Sequence, residues 1–204
     1  MNYYCSKCNK DIEKKVYDYS KKEFGEVLCR DCQQNSEPQK EAGLTNKESK
    51  YREGMIKGRI AETLIEELFL SLGYDVFRYG MENTVPGIMK LLEGVKGDVA
   101  TNIRRMPDFV VKKGKKIFFV EVKFRANEKF DKNDKSIKNY PYVNAYFIIV
   151  SKTRIKCITY EELQEGKKVS PTSKNYLGNR KEFDLEKKTI IEFCNFAVKF
   201  FKDV

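Results

Sequence analysis

The feature that most constrains this chain is a doubled cysteine motif near its start. Cys5-x-x-Cys8 and Cys29-x-x-Cys32 are separated by twenty residues. Each C-x-x-C turn presents two thiolates from one knuckle, and two knuckles close a tetrahedral Cys₄ site around Zn²⁺. With four protein ligands no position is open to water or substrate, so such a site is structural. A redox dithiol accounts for one pair and leaves the second unexplained. Tyr3, Tyr4, Val16, Tyr17, Tyr19, Phe24 and Leu28 are the expected small core around the metal. Cys157 and Cys194 lie in apolar stretches and are expected to pack rather than react.

The 204 residues suffice for one ordinary domain and a small appendage. The formal charge of +10 favours a polyanionic partner, either nucleic acid or an anionic membrane surface. No apolar run approaches the ~20 residues of a membrane span. The start of the sequence has no signal-peptide core. A cytoplasmic location is therefore expected, where clustered thiols stay reduced and bind metal. Histidine is absent. That removes every His-based catalytic mechanism and leaves Cys, Asp and Glu as the ligands for any metal site.

Composition divides the chain into residues 1–34, the cysteine module; 35–54, a polar stretch that is either a linker or a solvated helix; and 55–204, the main domain. In the main domain, Met55 to Leu72 repeats Ile56, Ile60, Leu64 and Leu68, widened by Ile65, Phe69 and Leu72. That spacing predicts a helix with one buried face, stopped by Gly73. Tyr74–Arg78 reads as a strand. Residues 80–104, with Pro86, Gly87, Gly94 and Gly97, read as irregular around a short helix at Ile88–Leu92. Pro107–Val111 and Ile117–Phe124 predict a hairpin turning through Lys112–Lys116. Ala145–Ser151 is apolar on both faces, as in a sheet covered on both sides. Cys157–Tyr160 adds a further strand and Ile190–Phe201 a helix. The expected class is α/β.

The chemistry concentrates at Pro107-Asp108 and Glu121-Val122-Lys123. Residues two apart on a strand share a face, so Glu121 and Lys123 project together with Ile117 and Phe119. Phe118, Val120, Val122 and Phe124 form the opposite, apolar face. If the hairpin pairs as expected, Asp108 lies near Glu121. Two carboxylates and an ammonium on an apolar strand are costly unless paired or metal-bound. Mg²⁺ or Mn²⁺ prefers such oxygen ligands, and it polarises a phosphate and acidifies a bound water. Lys123 would orient the water or stabilise developing negative charge. Glu62 falls at the margin of the apolar face of its helix, from which a carboxylate can lean towards the sheet edge.

Lys57-Gly58-Arg59-Ile60-Ala61-Glu62, Leu72-Gly73-Tyr74-Asp75-Val76, Pro107-Asp108 and Glu121-Val122-Lys123 together resemble the PD-(D/E)XK nuclease superfamily, most of all archaeal Holliday-junction resolvases and restriction-endonuclease-like proteins. The resemblance spans roughly residues 55 to 151. It implies a central mixed sheet flanked by helices and a divalent-metal-dependent deoxyribonuclease acting on branched or other DNA. It also implies that Glu62, Asp108, Glu121 and the Val122 carbonyl hold Mg²⁺ or Mn²⁺, with Lys123 catalytic. The 45 residues between Glu62 and Asp108 exceed what a compact resolvase needs, so 80–104 reads as an insertion. Residues 1–34 resemble the zinc ribbons of nucleic-acid enzymes, which leaves room for a protein partner there. Lys57, Arg59, Arg104, Arg105, Arg125 and Lys129 are the expected phosphate contacts; Lys112, Lys113, Lys115 and Lys116 either join them or lie at the far end of the hairpin, away from the chemistry. A homodimer would suit two-strand cutting, and no membrane partner is expected. The alternative is a non-catalytic nucleic-acid-binding protein on the same fold. A sequence-specific restriction-type enzyme would differ only in substrate.

Overall fold

The computed structural model describes residues 2–36, 45–80 and 87–202. The chain divides into two compact units, Met1–Arg52 and Glu53–Val204. The first holds strands β1 (Tyr3–Tyr4) and β2 (Asp11–Ile12), paired antiparallel, then helices α1 (Lys14–Phe24) and α2 (Arg30–Gln34). Helix α1 stops at Gly25, whose φ of 68° is the left-handed cap that glycine adopts without penalty. An all-β ribbon does not form. The second cysteine pair instead straddles the start of a helix, with Cys29 as its N-cap residue.

The core of this unit also departs from expectation. Phe24 and Leu28 are buried, but they pack with Cys5, Cys29, Ile12 and Cys32. Tyr4 and Tyr19 are exposed, while Tyr3 stacks on Tyr17 with ring centroids 4.3 Å apart. Bulky phenols surround a unit too small to enclose them, and the thiols supply the interior.

Helix α3 runs Asn46–Ser71, nine residues earlier than the apolar pattern predicts. Thr45 and Glu48 explain the difference. Thr45 Oγ1 accepts from the Glu48 amide (3.2 Å), and the Glu48 carboxylate accepts from the Thr45 amide (3.0 Å). That is a capping box, able to start a helix in a polar sequence. Residues 37–44 of the expected linker and 81–86, including Pro86, lie outside the described residues.

The second unit is α/β, a five-stranded mixed sheet flanked by helices. Its strands are β3 (Asp75–Arg78), β4 (Phe109–Lys113), β5 (Lys116–Phe124), β6 (Ala145–Val150) and β7 (Ile155–Thr159), in that spatial order. Only the β5–β6 pair is parallel. Between β3 and β4 lie two short helices, α4 (Ile88–Leu91) and α5 (Asp98–Arg104), so the expected irregular stretch is partly helical. The β4–β5 turn is also tighter than predicted: Lys113 pairs with Lys116 around Gly114-Lys115, and Gly114 takes a φ of 60°. Lys112, Lys113 and Lys116 therefore belong to strands. Helix α6 (Tyr160–Gln164) follows β7 directly, capped by Thr159 and Glu162, and α7 (Lys187–Phe201) ends the fold.

The strand alternation partitions the core. Val120 and Val122, with Phe118 and Phe124, join α3 residues Ala61, Leu64, Ile65, Leu68 and Phe69 and α7 residues Phe193 and Ala197. Phe119 joins Phe130, Ile137, Tyr140 and Phe147 in a second cluster. Cys157 sits in the first cluster and Cys194 packs against it, as their apolar settings predict. Ile56, expected in the buried stripe of α3, is instead 57% exposed. Among the described residues no helix is long and apolar enough to cross a membrane.

Candidate functional sites

In the first unit, Cys5, Cys8, Cys29 and Cys32 converge so that their four Sγ atoms all lie within 4.8 Å of one another. The Cys8 and Cys29 sulfurs are 3.5 Å apart. Tetrahedral ligands ~2.3 Å from a common ion fit such spacing, and the quartet is positioned to hold a metal ion. Backbone bonds shape both knuckles. The Asn9 amide donates to the Cys5 carbonyl (2.9 Å), with Asn9 at φ 57°, and the Ser6 amide donates to the Val27 carbonyl (2.7 Å). Ser20, fully buried, donates to the Glu26 carbonyl (2.8 Å) and accepts from the Leu28 amide (2.7 Å), fixing the residue before Cys29. Burial opposes ionisation of Cys5, yet amide donors from Cys29, Cys8 and Lys7 prevail and bring its thiol down to about 6. Cys32 goes the other way, pushed up to about 12 by its Cys29 neighbour and by burial. One thiolate is thus prepared, and a bound cation would draw the remaining protons off.

In the second unit, the β4–β5 register pairs Phe109 with Val120, which carries Asp108 opposite Glu121. The Val122 amide donates to Asp108 Oδ2 at 2.7 Å, a bond that turns the carboxylate towards β5. Glu121 is only 8% exposed. It accepts from the Lys123 ammonium and, at 3.3 Å, from the Tyr140 hydroxyl. Glu62 from α3 completes the set. All four predicted side chains line one cavity of about 430 Å³, together with Arg59, Arg104, Arg105, Ser136 and Tyr140. Gly54 and Gly58, two turns and one turn before Glu62, share its helix face and leave that wall open: a Cβ at either would meet nothing within 4 Å.

The electrostatics follow from three charges in a confined space. Burial, reinforced by the Glu121 charge, pushes the Asp108 carboxyl well above the usual range; Lys123 and the Val122 amide pull the other way and lose. Burial disfavours the Lys123 ammonium, but Glu121 and Asp108 outweigh it and hold its pKa above the ordinary value. Tyr140 is raised by burial and by Glu121, so its phenol stays protonated and donates. A buried lysine whose charge is favoured, beside a carboxyl whose ionisation is opposed, leaves room for a further cation to take up the acid's charge.

The carboxylates do not close as tightly as the thiols. Among the described residues the cysteine quartet is the only group of three or more Cys, Asp or Glu whose ligand atoms all fall within 4.8 Å. Val122 packs its side chain in the core and engages Asp108 through its amide.

The expected phosphate contacts divide. Arg59, Arg104 and Arg105 line the cavity. Arg104 donates to the Leu92 and Val95 carbonyls and Arg105 to the Ser136 carbonyl (3.1 Å), which anchors both at its rim. Lys57 pairs with Glu53, and Arg125 with Asp134 at 2.7 Å; neither lines the cavity. Lys129 is exposed and also off the cavity. The lysine-rich turn lies at the opposite end of β5 from Lys123. There Lys112 pairs with Asp75 (3.1 Å) and Lys113 with Asp184 (2.8 Å). Tyr140, Ser136 and Gly54 escape the sequence reading. Only the i, i+4, i+8 spacing of Gly54, Gly58 and Glu62 could have flagged any of them.

No family model and no curated protein matches this chain.

Proposed function

We propose that this protein is a divalent-metal-dependent deoxyribonuclease of the PD-(D/E)XK type that hydrolyses phosphodiester bonds in branched DNA, with a structural Zn²⁺ held by Cys5, Cys8, Cys29 and Cys32. One observation carries the reading: Glu62 from α3, Asp108 from the bend just before β4, and Glu121 and Lys123 from β5 line a single cavity whose rim holds three arginines. Glu62, Asp108 and Glu121 offer the hard oxygen ligands that Mg²⁺ or Mn²⁺ prefers. Mg²⁺ keeps several of its waters, so not every one of these carboxylates need touch it directly. A bound ion supplies polarisation of the phosphate and a more acidic water.

The chain's own groups do the rest. Lys123 sits beside the reacting centre as a fixed cation for charge that develops on the phosphate. Tyr140 fixes the Glu121 carboxylate, and the Val122 amide fixes Asp108. Arg59, Arg104 and Arg105 engage flanking phosphates without reading bases. The ion pair of Lys123 with Glu121 favours a second reading, a non-catalytic DNA-binding protein in which that lysine permanently neutralises the carboxylate.

Incubation with labelled duplex, single-stranded, flapped and four-way-junction DNA separates the two, with Mg²⁺, Mn²⁺ or EDTA and with Glu121→Ala in parallel. The nuclease reading expects cleavage that needs the metal, prefers the branched substrates and disappears in the variant. Tight binding without cleavage of any substrate would overturn it.

A further inference from the structure

Alternation along β3, β4 and β5 gives this part of the sheet two faces. Val76, Val111, Phe118 and Val120 pack into the core beneath α3 and α7. Across the paired strands, the other face carries a row of Asp75, Lys112 and Ile117, then a row of Phe77, Val110 and Phe119. The row after that belongs to the candidate site. There Asp108 stands opposite Glu121, and Tyr79, just past β3, donates its amide to the Asp108 carbonyl (2.9 Å). Phe77 is 60% exposed and Ile117 64%, and among the described residues neither they nor Val110 joins a core cluster. Phe119 links this strip to the site through a run of rings. Its centroid lies 5.9 Å from Tyr79 and 5.3 Å from Tyr142, and Tyr142 lies 5.9 Å from Tyr140, the phenol that donates to Glu121. Cations stand at both ends. Arg104 and Arg105 line the cavity, while Lys112 and the exposed Lys115 lie at the β4–β5 turn.

We propose that this strip is a stacking platform for the unpaired bases of a DNA strand, with Lys115 holding a phosphate at one end and the two arginines holding phosphates at the other. The inference rests on the nuclease reading and narrows its substrate to DNA that carries a single-stranded arm beside the cut. An exposed apolar patch is a mark of a binding surface. Cations at both ends of this one select a polyanion over an apolar peptide. Aromatic rings accept the face of any base, and the flanking cations accept the phosphates. A duplex keeps its bases stacked inside and meets only the cations. Phe119 and Glu121 are two residues apart on one strand face, about 7 Å. A base resting on Phe119 therefore brings a neighbouring phosphate to the carboxylates. The same face accounts for the lysine-rich turn: its charge lies at the far end of the strand's path and holds the arm there.

The test is fluorescence anisotropy of the full chain in EDTA, with labelled single-stranded, duplex and flapped DNA. Wild type is expected to bind the single-stranded and flapped DNA about tenfold more tightly than the duplex. Phe77→Ala is expected to remove about tenfold of the affinity for those two and to leave the duplex within about twofold of wild type. Phe77→Trp keeps a ring and should bind as wild type does; Phe77→Leu keeps apolar area without a ring and should fall with the alanine variant. Lys115→Ala should lower the salt dependence on flapped DNA by about one phosphate contact. The Phe77 side chain is exposed, so an unchanged circular dichroism spectrum separates lost stacking from lost folding. Equal affinity for paired and unpaired DNA overturns the platform, as does a Phe77→Ala variant that binds flapped DNA like wild type or weakens the duplex equally. Leucine in place of Phe77 with no loss overturns it too. Metal-dependent cleavage that disappears in Glu121→Ala would uphold the nuclease reading in each of those cases. A wild type that binds no DNA at all overturns both.

Discussion

The two candidate metal centres solve the same problem in opposite ways. In the first unit, four thiols gather to within 4.8 Å with no countercharge among them. In the second, three carboxylates line one cavity without forming a comparable cluster, with a lysine beside Glu121. The difference comes from acidity. Thiols are mostly neutral at pH 7 and cluster at little cost, and Cys5 is drawn down towards ionisation. Carboxylates are charged at that pH and repel. Burial and Glu121 therefore raise Asp108, and Lys123 stands in as counter-ion. A thiol site can be built complete before its metal arrives, whereas an acidic site must be held open by other means.

The largest expected effect falls on the complete site. Cys29→Ser removes the buried ligand that also stands at the N-cap of α2, and it should abolish stoichiometric zinc while destabilising the unit by several kcal/mol. Metal analysis and unfolding of the purified variant check this; retained zinc would break the contrast. Next, Glu121→Ala or Lys123→Ala should reduce cleavage by about 10³-fold or more and leave zinc content unchanged. Residual cleavage within tenfold of wild type would show that the cavity is not where the chemistry occurs.

A smaller effect tests the repulsion directly. The folded-state pKa of Asp108 is raised, so the native protein binds the extra proton between the ordinary carboxylate range and the raised value. Stability contributed by this group therefore falls as pH rises through that window and stays low above it. In Mg²⁺-free buffer at neutral pH, Asp108→Asn should be more stable than wild type by about 1 kcal/mol, with the advantage shrinking towards pH 5. Denaturant unfolding at the two pH values measures it, and an advantage that grows as pH falls would contradict the stated charge balance. The smallest effect is on binding. Arg105→Ala should weaken association with every DNA substrate alike by about 1 kcal/mol and lower the salt dependence by roughly one phosphate contact. Salt titrations of wild type and variant compare the slopes.

Several parts of the fold were legible in local spacing, and some legible signals pointed further than the apolar pattern alone. Thr45-x-x-Glu48 and Thr159-x-x-Glu162 are the same capping signature, and each starts a helix the hydrophobic pattern overlooks or shortens. The alternation of Phe118 to Lys123 assigned each side chain to its face of the sheet. The cysteine-module core was misread because exposed tyrosines resemble core residues in composition, and the thiols that replaced them read as ligands alone.

Spacing along the chain determined the thiol quartet, the hairpin that faces Asp108 towards Glu121, and the shared face of Glu121 and Lys123. These are short-range relations in which covalent geometry and backbone pairing leave little choice. Tertiary structure alone decided that Glu62 reaches the same cavity from α3 and that Tyr140 caps Glu121 from the β5–β6 crossover. It also set Arg104 and Arg105 on the cavity rim. Those placements depend on how helices and loops pack on the sheet, through many weak apolar contacts spread over the whole core, and no local spacing encodes that sum.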